Sequence, residues 1–225
     1  MSTTGITESD IAKFLVETPG FFERHAELLA TIQLTSPHGQ RAVSLQERQM
    51  EMLREKIKGL EFRIVEMIRH GQENTAIADR LHRWTRAILL TQNPSDLPEV
   101  MVRELKHEFI VPRAALRVWG AADPFAALRF AQGASDDLRT FAASLTLPYC
   151  GVNSGFEACN WLDDPATVAS IAMIPLRRGS SPGAFGLLVL GSPDPTRYSA
   201  DMGTEFLARI GEIASAGLSR LLPAF

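Results

Sequence analysis

The chain has little of what usually advertises chemistry. It holds 225 residues, with only 2 cysteines, 2 tyrosines and 5 histidines. Cys150 and Cys159 are too few for a disulfide framework, so reduced thiols in a cytoplasmic protein are expected. His25, His38, His70, His82 and His107 stand at none of the CxxC, HxxxH or HExxH spacings that hold metals, so no metal site is expected. The GxSxG, P-loop and GxGxxG patterns are missing too, which leaves acyl transfer and nucleotide hydrolysis without their signatures. A cysteine nucleophile needs a base in reach, and no histidine neighbours Cys150 in the sequence. No catalytic residue is assigned, and a non-enzyme is expected.

Strong charge of either sign is absent as well. Lys and Arg number 23 against 26 Asp and Glu, a net charge of -3, so no broad field draws in nucleic acid. Arg80, Arg83 and Arg86 form a stripe without interleaved exposed aromatics, and such a stripe reads as a solvated face. The longest apolar run, Ala184 to Leu190, is too short to cross a bilayer, and Met1 to Gly5 carries no basic segment followed by an apolar one. Neither a membrane span nor a secretory signal is expected.

What is present is an ordinary globular composition, 45% hydrophobic and 22% charged, in a length that suits one core plus an appendage. The first third reads as helix. Thr7 followed by Asp10 has the form of a capping pair, and Ile11, Phe14 and Leu15 share a face. Thr18-Pro19-Gly20 and Ser36-Pro37-His38-Gly39 are breaks. From about Ser44, Met50, Leu53, Ile57, Leu60, Ile64 and Met67 recur at alternating spacings of three and four. That is a heptad seam, and Ile at a with Leu at d favours two parallel strands. Lys56 at g and Glu61 at the following e would meet across such a dimer. Glu51–Arg54, Glu55–Lys58 and Glu66–Arg69 are spaced as intrahelical pairs. The stripe has a second reading, a face packed on its own domain. Beyond it the phase continues through Gly71, Asn74 and Ala78, whose small or polar side chains loosen the seam. Gly71 costs about 1 kcal/mol relative to Ala inside a helix.

The rest reads as α+β. Asp96 and Glu99 start a helix that ends at Val111-Pro112, and Ala115 to Trp119 alternates as a strand. Ala127 to Ala131 is a candidate second strand, Asp136 to Leu145 a short helix, and Leu147 to Asp164 a loop-rich stretch. Ser170 to Leu176 and Ala184 to Leu190 flank a turn, and the second, apolar throughout, is expected at the sheet centre. Pro175 must then sit at an edge, an end or a bulge. Ser199 is expected to cap a final helix with Asp201 and Glu205 in its first turns. A mostly antiparallel sheet with helices on one side is the natural packing. The organisation expected is a helical segment over 1–42, a coiled-coil helix over 43–74 and one α+β domain over 75–225.

Two resemblances sharpen this. Ser170-Ile-Ala-Met-Ile-Pro-Leu, a glycine-containing turn, Gly183-Ala-Phe-Gly-Leu-Leu-Val-Leu-Gly-Ser, a loop ending in Arg197-Tyr198 and then a helix resemble the second half of a GAF domain. Phe14-Leu15, Pro19-Gly20-Phe21-Phe22, His25, Leu28-Leu29, Pro37-His38-Gly39, Ser44-Leu-Gln-Glu-Arg-Gln49 and Leu53-Arg54 resemble the DUF484 family. That likeness covers nearly the whole chain and implies a GAF-like domain behind a helical region. It supplies no catalytic residue and no cofactor.

A GAF-like fold also implies a small-molecule pocket beside the stretch Pro148 to Trp161. Tyr149, Phe156 and Trp161 there offer rings, Asn153, Glu157 and Asn160 offer polar anchors, and Cys150 and Trp119 adjoin them. The same aromatics would serve equally as core. Two functions therefore stand open. One is a dimeric regulatory or sensing protein with an unidentified ligand. The other is a ligand-free adaptor that docks a protein partner on residues 7–34, with Phe14, Phe21 and Phe22 as anchors.

Overall fold

The computed structural model describes residues 5–31, 33–35, 42–179, 181–200 and 203–223. The chain divides into two compact units, Met1–Glu73 and Asn74–Phe225.

In the first unit, α1 (Glu8–Glu17), α2 (Phe21–Arg24) and α3 (Ala26–Thr31) precede a hairpin of β1 (Gln33–Thr35) and β2 (Ala42–Ser44). The helix α4 (Leu45–Leu90) begins here and ends within the second unit. Thr7 caps α1 as expected: its Oγ1 accepts from the Asp10 amide (3.2 Å), and the Asp10 carboxylate accepts from the Thr7 amide (3.0 Å). The hairpin pairs Gln33 with Ser44 and Thr35 with Ala42, segments too short to show a period in sequence. The expected break at Ser36-Pro37-His38-Gly39 lies outside the described residues. Along α4, Glu66 does pair with Arg69 (2.9 Å), whereas Glu51 pairs with Arg48 (2.6 Å).

The second unit is built on a four-stranded antiparallel sheet. Its strands are β3 (Arg113–Val118), β4 (Tyr149–Val152), β5 (Ser170–Arg177) and β6 (Ala184–Ser192), in the spatial order β3-β6-β5-β4. Period-two alternation sends neighbouring residues to opposite faces. Leu116, Ala172, Ile174, Leu188 and Leu190 face a core shared with Trp84 and Ile88 of α4, with α5 (Leu97–Phe109) and with α7 (Glu205–Leu218). Ala115, Ile171, Met173, Leu187 and Val189 face a second core, closed by Leu138 and Ala142 of α6 (Asp136–Ser144) and by Ala158, Cys159 and Leu162. The sheet is therefore covered on both faces, not on one as expected. The amphipathic helix α6, with Leu138 and Ala142 on one face, covers the side that α5 and α7 leave open.

The central position expected for β6 is found. Pro175 lies past the end of β4, whose pairing stops at Met173, and beside the register shift at Leu176/Arg177. No ladder partner on that side asks it for an N–H. Three other expectations fail. Ala127 to Ala131 is no strand. The amides of Phe125, Leu128 and Ala131 donate to carbonyls three residues earlier, and residues 129–131 form a short 3-10 helix. The stretch read as loop contains β4, too short at four residues to declare itself. The final helix starts at Glu205, beyond Ser199, with Thr204 at its N-cap, and Asp201 lies outside the described residues.

Candidate functional site

The eight residues singled out around Pro148 to Trp161 go to different places. Tyr149 and Phe156 meet edge to face at 5.2 Å and, with Phe141, pack on the core beside α6. Cys150, one residue from Tyr149, points to the opposite face and belongs to the core of α5 and α7. Trp119 packs beside α6 as well, its indole Nε1 donating to the Ala184 carbonyl (2.7 Å).

The polar groups are largely spent on the fold. Asn153 donates through Nδ2 to the Val168 carbonyl (3.0 Å) and to the Cys159 sulfur (3.3 Å). Its Oδ1 accepts from the Gly155 amide (3.1 Å), an Asx turn that closes the loop where Gly155 has φ +86°. Glu157 accepts from the amide of Ser135 (3.1 Å) and from its hydroxyl, and Ser135 in turn caps α6 through the Leu138 amide (3.2 Å). Asn160 is exposed.

Trp161 lines a cavity. That cavity is an open concavity of about 960 Å³ at the outer edge of β3. One wall is α5, through Pro98, Val102 and Lys106; the floor is Ala114 to Arg117 of β3; Arg129, Phe130 and Trp161 close the far side. The Arg117 guanidinium lies over the Trp161 ring, 5.3 Å from its centroid. The indole is itself held by a hydrogen bond from Nε1 to the Gly133 carbonyl (3.0 Å). Arg117 Nη1 donates to the carbonyl of Leu116 (3.0 Å), and its buried Nε has no acceptor. Burial lowers the Arg117 pKa, and the like charge of Arg129 adds to that.

Both thiols are free and buried. Burial pushes each pKa up, which disfavours the nucleophilic thiolate. Among the described residues no group of three or more His, Cys, Asp or Glu could hold a metal ion, and no helix is long and apolar enough to cross a membrane.

The family described as "Protein of unknown function, DUF484" matches residues 1–222. The chain belongs to this family. No curated protein matches it. Solved structures similar to it include the GAF domain of an Acinetobacter phosphoenolpyruvate-protein phosphotransferase, at 15% identity and a TM-score of 0.46, covering 64% of this chain and 92% of that one. The GAF domain of the Coxiella burnetii phosphoenolpyruvate-protein phosphotransferase is similar at 12% identity and a TM-score of 0.46, over 65% of this chain and 94% of that one. Free methionine-R-sulfoxide reductase from Neisseria meningitidis, solved with its substrate, is similar at 13% identity and a TM-score of 0.42, over 64% and 88%.

Within this DUF484 chain, the cavity residues Arg117 and Arg129 escaped the reading of the sequence. The signal was there in β3. The strand reads Arg-Ala-Ala-Leu-Arg-Val, and its two arginines flank Ala115 on one face of an edge strand, where an apolar pair would be ordinary.

Proposed function

We propose that this chain is a non-enzymatic, GAF-like regulatory protein. It forms a homodimer through α4 and senses a small molecule with its α+β domain. One observation carries the reading. The seam residues Met50, Leu53, Ile57, Leu60, Ile64 and Met67 are each 48% to 71% exposed, whereas Trp84 on the same helix is 1% exposed. A run of large apolar side chains left in water marks an association surface. Its heptad spacing suits a second copy of the same helix, and Lys56 and Glu61 stand where they would pair across two parallel chains.

Signal would pass along α4, which joins the seam to the domain core. The stretch from Gly71 to Ala78, small and polar at the seam positions, is the adjustable part. A ligand moves such a helix only if it binds its two arrangements with different affinity. Sedimentation of the intact chain tests the dimer. Micromolar protein should run as a dimer, and Leu60→Asp should weaken it by about a hundredfold or more, since a charge would be buried at the seam. A wild-type chain that sediments as a monomer ends the proposal.

A second reading, a ligand-free adaptor, is favoured by the first unit. Phe14 is 51% exposed beside Phe21 at 5.7 Å, and Phe21 meets Phe22 at 5.3 Å, an aromatic cluster on helices with no buried residue. Native mass spectrometry for a retained small molecule separates the two readings. A pull-down lost on removing residues 1–40, with no molecule retained, would favour the adaptor.

A further inference from the structure

The concavity beside β3 has a chemistry of its own. Four cationic side chains line it, Arg103, Lys106, Arg117 and Arg129, against two acids, Glu99 and Asp163. Asp163 is taken by Lys106 (3.7 Å) and Arg103 by Glu104 (3.0 Å). Among the described residues, Arg117 and Arg129 have no carboxylate partner in a salt bridge, although both line this concavity. Arg117 and Arg129 thus face one concavity without a carboxylate to neutralise them, and an anion bound there would interact favourably with both.

The geometry around Arg117 points the same way. Its guanidinium carbon lies over the Trp161 ring, which is held in turn by the Gly133 carbonyl. Of its donors, only Nη1 has a protein acceptor, and the buried Nε has none. A guanidinium with spare donors is what phosphate and carboxylate groups bind, commonly with two parallel hydrogen bonds. The remaining walls, Pro98, Val102, Val111, Ala114, Leu116 and Phe130, are apolar. A cavity of about 960 Å³ is large enough for a whole small molecule, not for a lone ion only.

We propose that this concavity binds a small organic oxyanion, with its phosphate or carboxylate on Arg117 and Arg129 and its apolar body against Phe130 and α5. This rests on the reading of the α+β domain as the ligand-binding part. It names the class of ligand and moves the site from the Tyr149–Asn160 stretch to the other side of Trp161.

The test is NMR of the full chain, following the indole N–H of Trp161, one of 3 tryptophans and assigned by its loss in Trp161→Phe. Phenyl phosphate and phenylacetate are titrated, with benzyl alcohol as the neutral control. At least one anion should shift the Trp161 signal saturably, and the tighter of the two identifies the anionic group. Benzyl alcohol should not shift it. Arg129→Gln, at an exposed position that leaves the fold intact, should weaken binding by about tenfold, as loss of one charge-assisted pair does. Arg117→Gln should do at least as much, and if it unfolds the chain Arg129→Gln decides alone. Neither anion moving the signal in wild type, or equal binding by Arg129→Gln, overturns the proposal. Dimerisation is read by sedimentation and this site by one resonance, so each can fail without the other.

Discussion

Two stretches of one helix set the contrast in this molecule. From Met50 to Met67, α4 carries six large seam side chains, every one exposed, while Trp84 and Ile88 near its end are 1% and 3% exposed. The contrast extends to the units themselves. No described side chain before Trp84 is buried, whereas the second unit encloses two cores on either side of a sheet. Large apolar side chains on one helix thus have opposite fates. What differs is the neighbourhood: Trp84 meets α5 and donates its indole N–H to the Met101 carbonyl (3.0 Å), while the seam side chains lie exposed.

The contrast predicts where substitutions hurt. The largest effect is expected from Trp84→Ala, at about 3–5 kcal/mol in urea unfolding, because loss of a fully buried indole leaves a cavity and removes its hydrogen bond to the Met101 carbonyl. Gly186→Ala follows, at about 1–3 kcal/mol. A Cβ there would sit 2.7 Å from the Arg117 carbonyl oxygen, and strand backbone cannot step aside as a flexible side chain can. Glu157→Gln should cost about 0.5–1.5 kcal/mol by weakening the hydrogen bonds from Ser135 that order the start of α6, read in the same unfolding experiment. Leu60→Asp should change the stability of the isolated monomer by less than about 0.5 kcal/mol, as an exposed position does. A loss of several kcal/mol there would place the seam on its own chain and dissolve the contrast.

The smallest effect concerns pH. The hydrogen bonds from Thr7 hold the Asp10 carboxyl below its ordinary range. A depressed acid stabilises above its unfolded pKa and stops doing so as pH falls through the folded one. The Thr7 amide, which donates to that carboxylate, should therefore keep its shift as pH falls through the ordinary Asp range and move only in more acid solution, and Asp10→Asn should abolish that step.

Much of this was legible in residues alone. The Thr7–Asp10 cap, the break at Thr18-Pro19-Gly20, the long helix and the apolar β6 at the sheet centre follow from local rules of period, capping and turn chemistry. The short strands β1, β2 and β4 were not, since three or four residues cannot display alternation. Ala127 to Ala131 looked strand-like by composition, yet its amides found carbonyls three residues back before any strand could claim them.

The site was the least legible part. Tyr149, Asn153, Phe156 and Glu157 have the composition of a binding loop, and composition cannot tell a ring that lines a pocket from one that fills a core. Only the packed chain shows Asn153 and Glu157 spent on a turn and a helix start, and Arg117 laid over Trp161 across 44 residues of sequence. The sequence by itself determined the α1 cap, the long helix with its heptad stripe and the apolar run of β6, because these depend on neighbours a few residues apart. The tertiary structure alone decided which charges lack a partner, because partnership in space depends on residues the chain brings together only on folding.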